Sequence, residues 1–121
     1  MAQHDPVVLA QRQWTRPPLG SDTGQPRFFI GWMGQLEFEN WVRMGLTPSE
    51  AIVAATRDSA AAARINIGLI AAGRNADFIV LDANPLQDIA NSRKIHKVYL
   101  RGQEVDRAGL RAKWQARWKK L

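Results

Sequence analysis

Thr47-Pro48-Ser49-Glu50 fixes where one helix begins, and it constrains the chain on both sides of that point. A threonine hydroxyl accepts from the backbone N–H three residues on, the glutamate there reaches back to the threonine N–H, and proline at the first helical position forfeits no hydrogen bond. The helix predicted from this box runs from Pro48 to Thr56. A second cap, Thr56 or Asp58, opens an alanine-rich helix from Ser59 to Arg64, where alanine serves helix propensity and close packing together. Upstream, Leu36 to Met44 reads as a short helix with Leu36, Trp41 and either Val42 or Met44 toward one face, ended by Gly45. Residues 1–35 contain Pro6, Pro17, Pro18 and Pro26 and read mostly as loop.

From Ile67 the pattern changes from helical spacing to strands. Ile67-Gly68-Leu69-Ile70 reads as a short strand turning at Gly73, and Asp77-Phe78-Ile79-Val80-Leu81 as a buried strand. Asn84-Pro85-Leu86 is a turn, and Asp88 to Asn91 a single helical turn. Lys94 to Leu100 alternates as a half-buried strand does, and Arg101-Gly102 is a two-residue turn into Gln103-Glu104-Val105, which makes a hairpin. The last segment, Ala108 to Leu121, places Leu110, Trp114, Trp118 and Leu121 along one side of a basic helix. No internal repeat or low-complexity tract is present.

Composition excludes several classes. A chain of 121 residues suffices for one domain and is short for two. Its longest apolar run, Ile65 to Ala72, is interrupted by Asn66 and is too short to span a membrane. The first residues lack a basic stretch followed by an apolar one, so no secretory signal is read and a cytoplasmic location is expected. With no cysteine, disulfides, thiolate metal sites and a cysteine nucleophile are all excluded. The net charge of +6 suggests nucleic acid until it is located. Residues 107–121 carry six cations and no acid, leaving 11 basic and 11 acidic residues over 1–106. The body is neutral, and only the tail is basic.

Gly20-Ser21-Asp22-Thr23-Gly24 presents an acid between two glycines, an ordinary loop when taken alone. Behind it, in order, come Glu37-Phe38-Glu39, Met44-Gly45-Leu46-Thr47-Pro48-Ser49-Glu50-Ala51-Ile52, Ala54-Ala55-Thr56, Gly68-Leu69-Ile70, Gly73-Arg74-Asn75-Ala76-Asp77-Phe78-Ile79-Val80-Leu81-Asp82 and Asn84-Pro85-Leu86-Gln87-Asp88-Ile89. This set, over residues 19–106, resembles the amidohydrolase superfamily, the imidazolonepropionase-like members above all. The resemblance implies an α+β fold: the C-terminal portion of an amidohydrolase, with the last barrel helices and the strands of the small β-sandwich, ending in an amphipathic helix. Residues 1–66 would be the remnant of the barrel end with the Asp22 loop, 67–106 the sandwich strands and hairpin, and 107–121 the basic helix.

The resemblance also assigns chemistry. Asp22 would stand at the end of the last barrel strand, as both metal ligand and catalytic proton carrier, a place where barrel enzymes keep their reacting groups. A divalent metal, zinc first among them, would lower the pKa of its water for attack on a carbon–nitrogen bond other than a peptide bond. The implied substrate is a small amide or cyclic amide. The family also uses a His-x-His pair and further histidines, whereas this chain has only His4 and His96. A catalytic zinc takes three protein ligands, so metal is expected only where the missing barrel ligands are supplied. Thr15-Arg16-Pro17-Pro18 stands where the last barrel strand should run, and paired prolines disfavour a central strand. A chain with these gaps is an incomplete hydrolase expected to associate with the missing barrel half or with itself. The alternative is a non-catalytic α+β interaction module with a basic tail.

Other residues have a plain reading beside a sharp one. Glu37 and Glu39 could be paired acids, but two residues apart on a helix they point to different sides, and a solvated or capping role is expected. Trp32, Trp41 and Phe28-Phe29 could line a pocket, though packing is favoured. His96 reads as a surface histidine, and Ser21 has no histidine partner that would make it a nucleophile. The Trp114 and Trp118 stripe could lie on acidic lipid or nucleic acid. Packing on the body is preferred, so neither a nucleic-acid nor a membrane partner is expected.

Overall fold

The structure is a computed structural model that describes Gly20 and residues 31–119. The first helix, α1, spans Trp32–Arg43, beginning four residues before the expected start. Its N-terminus at Gly31 has no side-chain cap, so nothing local marks it. Its other end closes as the sequence predicts. Leu46 N–H bonds the Trp41 carbonyl at 3.1 Å and Gly45 N–H the Val42 carbonyl at 3.0 Å, with Gly45 at φ 105°. This double bond pattern needs a left-handed residue, and glycine takes that conformation at least cost.

The capping box forms in full: Glu50 N–H bonds Thr47 Oγ1 at 3.2 Å, and Thr47 N–H bonds Glu50 Oε2 at 2.9 Å. It starts α2, Pro48–Val53, and the two helices predicted downstream prove continuous. A π-helical stretch, Ala54–Asp58, joins α2 to α3, Ser59–Ala63. Two hydroxyls bond back to carbonyls along this joint, Thr56 to Ile52 and Ser59 to Ala54, each at 2.7 Å. The expected cap at Thr56 or Asp58 is therefore not one: Thr56 turns its hydroxyl toward the preceding turn, and Asp58 makes no cap bond. Arg64 ends the helix in the left-handed conformation, φ 56°.

The core sits between α1 and α2. Trp41, Ala51 and Ala54 are buried, with Phe38, Val42, Met44 and Leu46 packed around them. Alanine at 51 and 54, both 0% exposed, lets the second helix approach the indole closely. Trp41 thus takes the packing role expected of it, whereas Trp32 is 52% exposed. Phe28 and Phe29 lie outside the described residues.

The predicted strand at Ile67–Ile70 does not form. At Gly68 the chain turns with φ 84° directly against the helix, where a Cβ would stand 2.5 Å from the Thr56 carbonyl oxygen. Close backbone contact has replaced pairing. Strand β1, Phe78–Leu81, follows, then a 3-10 turn at Ile89–Arg93 that buries Ile89, then β2, Ile95–Leu100, and β3, Gln103–Glu104. The sheet is antiparallel in the order β1-β2-β3, with Phe78 opposite Tyr99 and Tyr99 opposite Glu104. The Phe78 and Tyr99 rings stack at 4.6 Å. A bulge between Val80 and Leu81 shifts the register. The hairpin turn has both central residues at positive φ, Arg101 at 50° and Gly102 at 78°, as the right-handed twist of paired strands requires.

Helix α4, Arg107–Trp118, closes the described chain. Asp106 caps it by accepting from Gly109 N–H at 2.9 Å. The expectation that its stripe packs on the body fails among the described residues: Leu110 is 49% exposed, Trp114 70% and Trp118 71%. Leu121 lies outside them. No described helix is long and apolar enough to cross a membrane.

Candidate functional site

Asp22, the sequence-predicted catalytic and metal residue, lies outside the described residues, as do Ser21 and His4. What the structure describes is the helix that begins ten residues after Asp22 in the sequence, and the groups that fix its position.

The joint between α1 and the 3-10 turn is polar. Ser92, 6% exposed, donates from Oγ to Gln35 Oε1 at 2.9 Å. Arg93 bonds Glu39 Oε1 at 2.7 Å and lies over the Trp32 ring at 4.4 Å. A guanidinium suits this place because its plane stacks on an indole while its edge meets a carboxylate. Glu39 is therefore an ion-paired residue with a side chain 16% exposed, not a solvated one. Glu37 also departs from the expectation. Its Oε2 is buried without a hydrogen-bond partner, and burial raises its pKa above the ordinary glutamate value. For Glu39 the reason is tertiary: Arg93, 54 positions downstream, folds back over α1 to meet it. Arg93 Nε is likewise buried and unpaired.

Sequence reasoning missed Gln35, Ser92 and Arg93. No local signal could have found them, because their pairing depends on where the 3-10 turn packs. Burying the Glu39–Arg93 pair and the Ser92–Gln35 bond in one joint sets the rotation of α1, since a polar pair that slips out of register is left unsatisfied.

His96 stands on the surface, as expected, with Nδ1 2.9 Å from Asp82 Oδ1. Across the hairpin, Lys97 Nζ bonds Glu104 Oε2 at 2.9 Å, and Tyr99 Oη donates to the same oxygen at 3.3 Å. The hydrogen bond from Lys97 lowers the Glu104 pKa and raises that of Lys97. These groups staple the strands. An open, mostly apolar groove of about 530 Å³ runs between Thr56, Ala60, Ile65, Ile67 and Asp77. Among the described residues no three of His, Cys, Asp and Glu come together as metal ligands, so those residues do not by themselves fit a divalent metal.

This arrangement, two packed helices feeding a polar joint and a three-stranded antiparallel sheet, coincides with part of several solved enzymes. The model of the amidohydrolase family matches residues 19–105, and the chain belongs to that family. Phenylurea hydrolase B is 41% identical over 63% of the chain and 18% of its own, with a TM-score of 0.57. Molinate hydrolase is 30% identical over 88% of the chain and 22% of its own, with a TM-score of 0.66. A Xaa-Pro dipeptidase is 31% identical over 60% of the chain and 18% of its own, at 0.57. The chain spans about a fifth of the length of these structures. No curated protein matches it significantly in sequence.

Proposed function

We propose that this chain contributes the C-terminal part of a hydrolase that cleaves a non-peptide carbon–nitrogen bond in a small amide or cyclic amide. The single observation that carries the reading is the family match over residues 19–105, a stretch that includes Gly20-Ser21-Asp22-Thr23-Gly24. One structural neighbour is a dipeptidase, so the choice of a non-peptide bond rests on the higher identity to phenylurea hydrolase B.

In this reading a divalent metal, zinc first, would supply the lowered water pKa that makes a nucleophile near neutrality. Asp22 would be one ligand and would carry the proton from that water to the departing nitrogen, a role that suits a carboxylate at a barrel strand end. The remaining ligands would come from outside this sequence, since His4 and His96 cannot supply a His-x-His pair. Arg93 and Ser92 would serve as positioning residues, holding α1 and through it the loop ten residues upstream.

A chimaera tests this reading. Residues 19–105 would replace the matching stretch of phenylurea hydrolase B, with hydrolysis of a phenylurea and bound zinc both measured. The expected result is retained turnover that falls by about a hundredfold or more in Asp22→Asn, in line with loss of a positioned proton-transfer group. Equal turnover with Asp22→Asn would remove Asp22 from the site. A second reading, a non-catalytic interaction module, is motivated for the isolated chain by its sequence, which holds only His4 and His96 as histidines. A zinc-dependent activity in the isolated chain would exclude it.

A further inference from the structure

Helix α4 combines charge and apolar surface in a way that packing within the described protein leaves unused. Leu110, Trp114 and Trp118 recur every four residues and form one row, and all three are exposed. Arg111 and Arg117 lie three residues before and after Trp114, roughly 60° round the helix on either hand. Away from this row lie Ala108, Gly109, Ala112 and Ala116, with Lys119 just past the last turn. A helix that merely keeps its charges in water places them opposite its apolar stripe. Here the Arg111 and Arg117 guanidinium groups flank the indoles, and the side away from them carries mostly small residues.

The orientation of this face is fixed from the root. Asp106 caps the first turn, and Arg107 donates from a guanidinium nitrogen to the Ile95 carbonyl at 2.8 Å. Beyond Arg107 the helix holds Arg111, Lys113 and Arg117 with no acid among them, followed by Lys119. The surface that complements such a face is anionic and amphipathic at once. Lipid headgroups offer phosphate oxygens to the cations, and the acyl boundary beneath them accepts indole and leucine side chains. A nucleic-acid duplex would satisfy the cations and leave Leu110 and the tryptophan row in water.

We propose that α4 lies in the plane of an anionic membrane surface, with Trp114 and Trp118 at headgroup depth and Arg111 and Arg117 on lipid phosphates. At 12 residues the helix is too short to span a bilayer. The contact is reversible and weakens with salt. It revises the expectation that the stripe packs on the body, and it stands independently of the hydrolase reading.

Co-sedimentation of the full chain with vesicles tests the inference, using phosphatidylcholine alone and phosphatidylcholine with a third phosphatidylglycerol. Binding to the mixed vesicles is expected, with little to the neutral ones and loss in high salt. Arg111→Gln with Arg117→Gln should cut partitioning by roughly thirtyfold, from about fivefold for each cation near an anionic surface. Trp114→Ala with Trp118→Ala should abolish it. All four residues are exposed, so circular dichroism should stay unchanged. No binding to anionic vesicles, equal binding to neutral ones, or unchanged binding in either double variant would overturn the proposal. Tighter binding to a DNA duplex than to the vesicles would overturn it too, in favour of nucleic acid.

Discussion

Adding a single methyl group at Gly68 tests whether the chain leaves its helix as described. The glycine sits at φ 84°, and a Cβ there would lie 2.5 Å from the Thr56 carbonyl oxygen and 2.8 Å from both the Thr56 carbonyl carbon and the Ala60 methyl. The left-handed conformation alone costs a side-chain-bearing residue about 1 kcal/mol. Overpacking against backbone that cannot rotate away adds roughly 1–3 kcal/mol. Gly68→Ala should therefore destabilise the protein by about 2–4 kcal/mol. Urea unfolding followed by tryptophan fluorescence reads this directly. With a slope of about 1–2 kcal/mol per molar for a protein this small, the midpoint should fall by roughly 1–4 M at constant slope. Adding Ala60→Gly removes one of the clashes and leaves the carbonyl in place, so it should not restore the midpoint. A Gly68→Ala protein within about 0.3 M of the wild-type midpoint would refute the contact, and full recovery in the double variant would refute the role of the carbonyl.

Three further outcomes are expected. Trp41→Ala empties the centre of the helical core and should cost about 3–5 kcal/mol, read as a fall in urea midpoint, with Trp41→Phe recovering most of it. Glu37 binds its proton more tightly when folded, so its contribution is present below the usual glutamate range and is lost as pH rises through the raised value. Glu37→Gln should then raise the melting temperature at neutral pH and change it little below about pH 4; a larger gain in acid would show the sign to be wrong. Arg64 occupies a left-handed helix end at φ 56°, and Arg64→Gly should stabilise by about 0.5–1 kcal/mol in the same urea assay.

Local chemistry made much of the chain legible. The Thr47 and Glu50 box, the helix end at Gly45 and the Arg101-Gly102 hairpin each depend on residues within a few positions of one another, so reading the sequence sufficed. The expectation at Ile67–Ile70 failed because Gly68 turns the chain against the helix at Thr56 and Ala60, and among the described residues no strand pairs with this segment. The paired acids on α1 show the same limit in the site. Two residues apart on a helix they could be judged unlike in direction, but not that Arg93 would neutralise one and burial would raise the pKa of the other.

By itself the sequence determined the family, through the order of short motifs from Leu19 to Ile89, and the succession of helices and then strands, but not the residue at which the strands begin. Capping, turn chemistry and residue order are local and survive without a fold. Tertiary structure alone decided which polar groups meet and which apolar faces stay open. Ser92 and Gln35 touch across 57 positions because the 3-10 turn packs on α1, whereas Trp114 and Trp118 remain in the open because no described element packs along α4. Burial and pairing belong to distances between segments, and periodicity within one segment does not contain them.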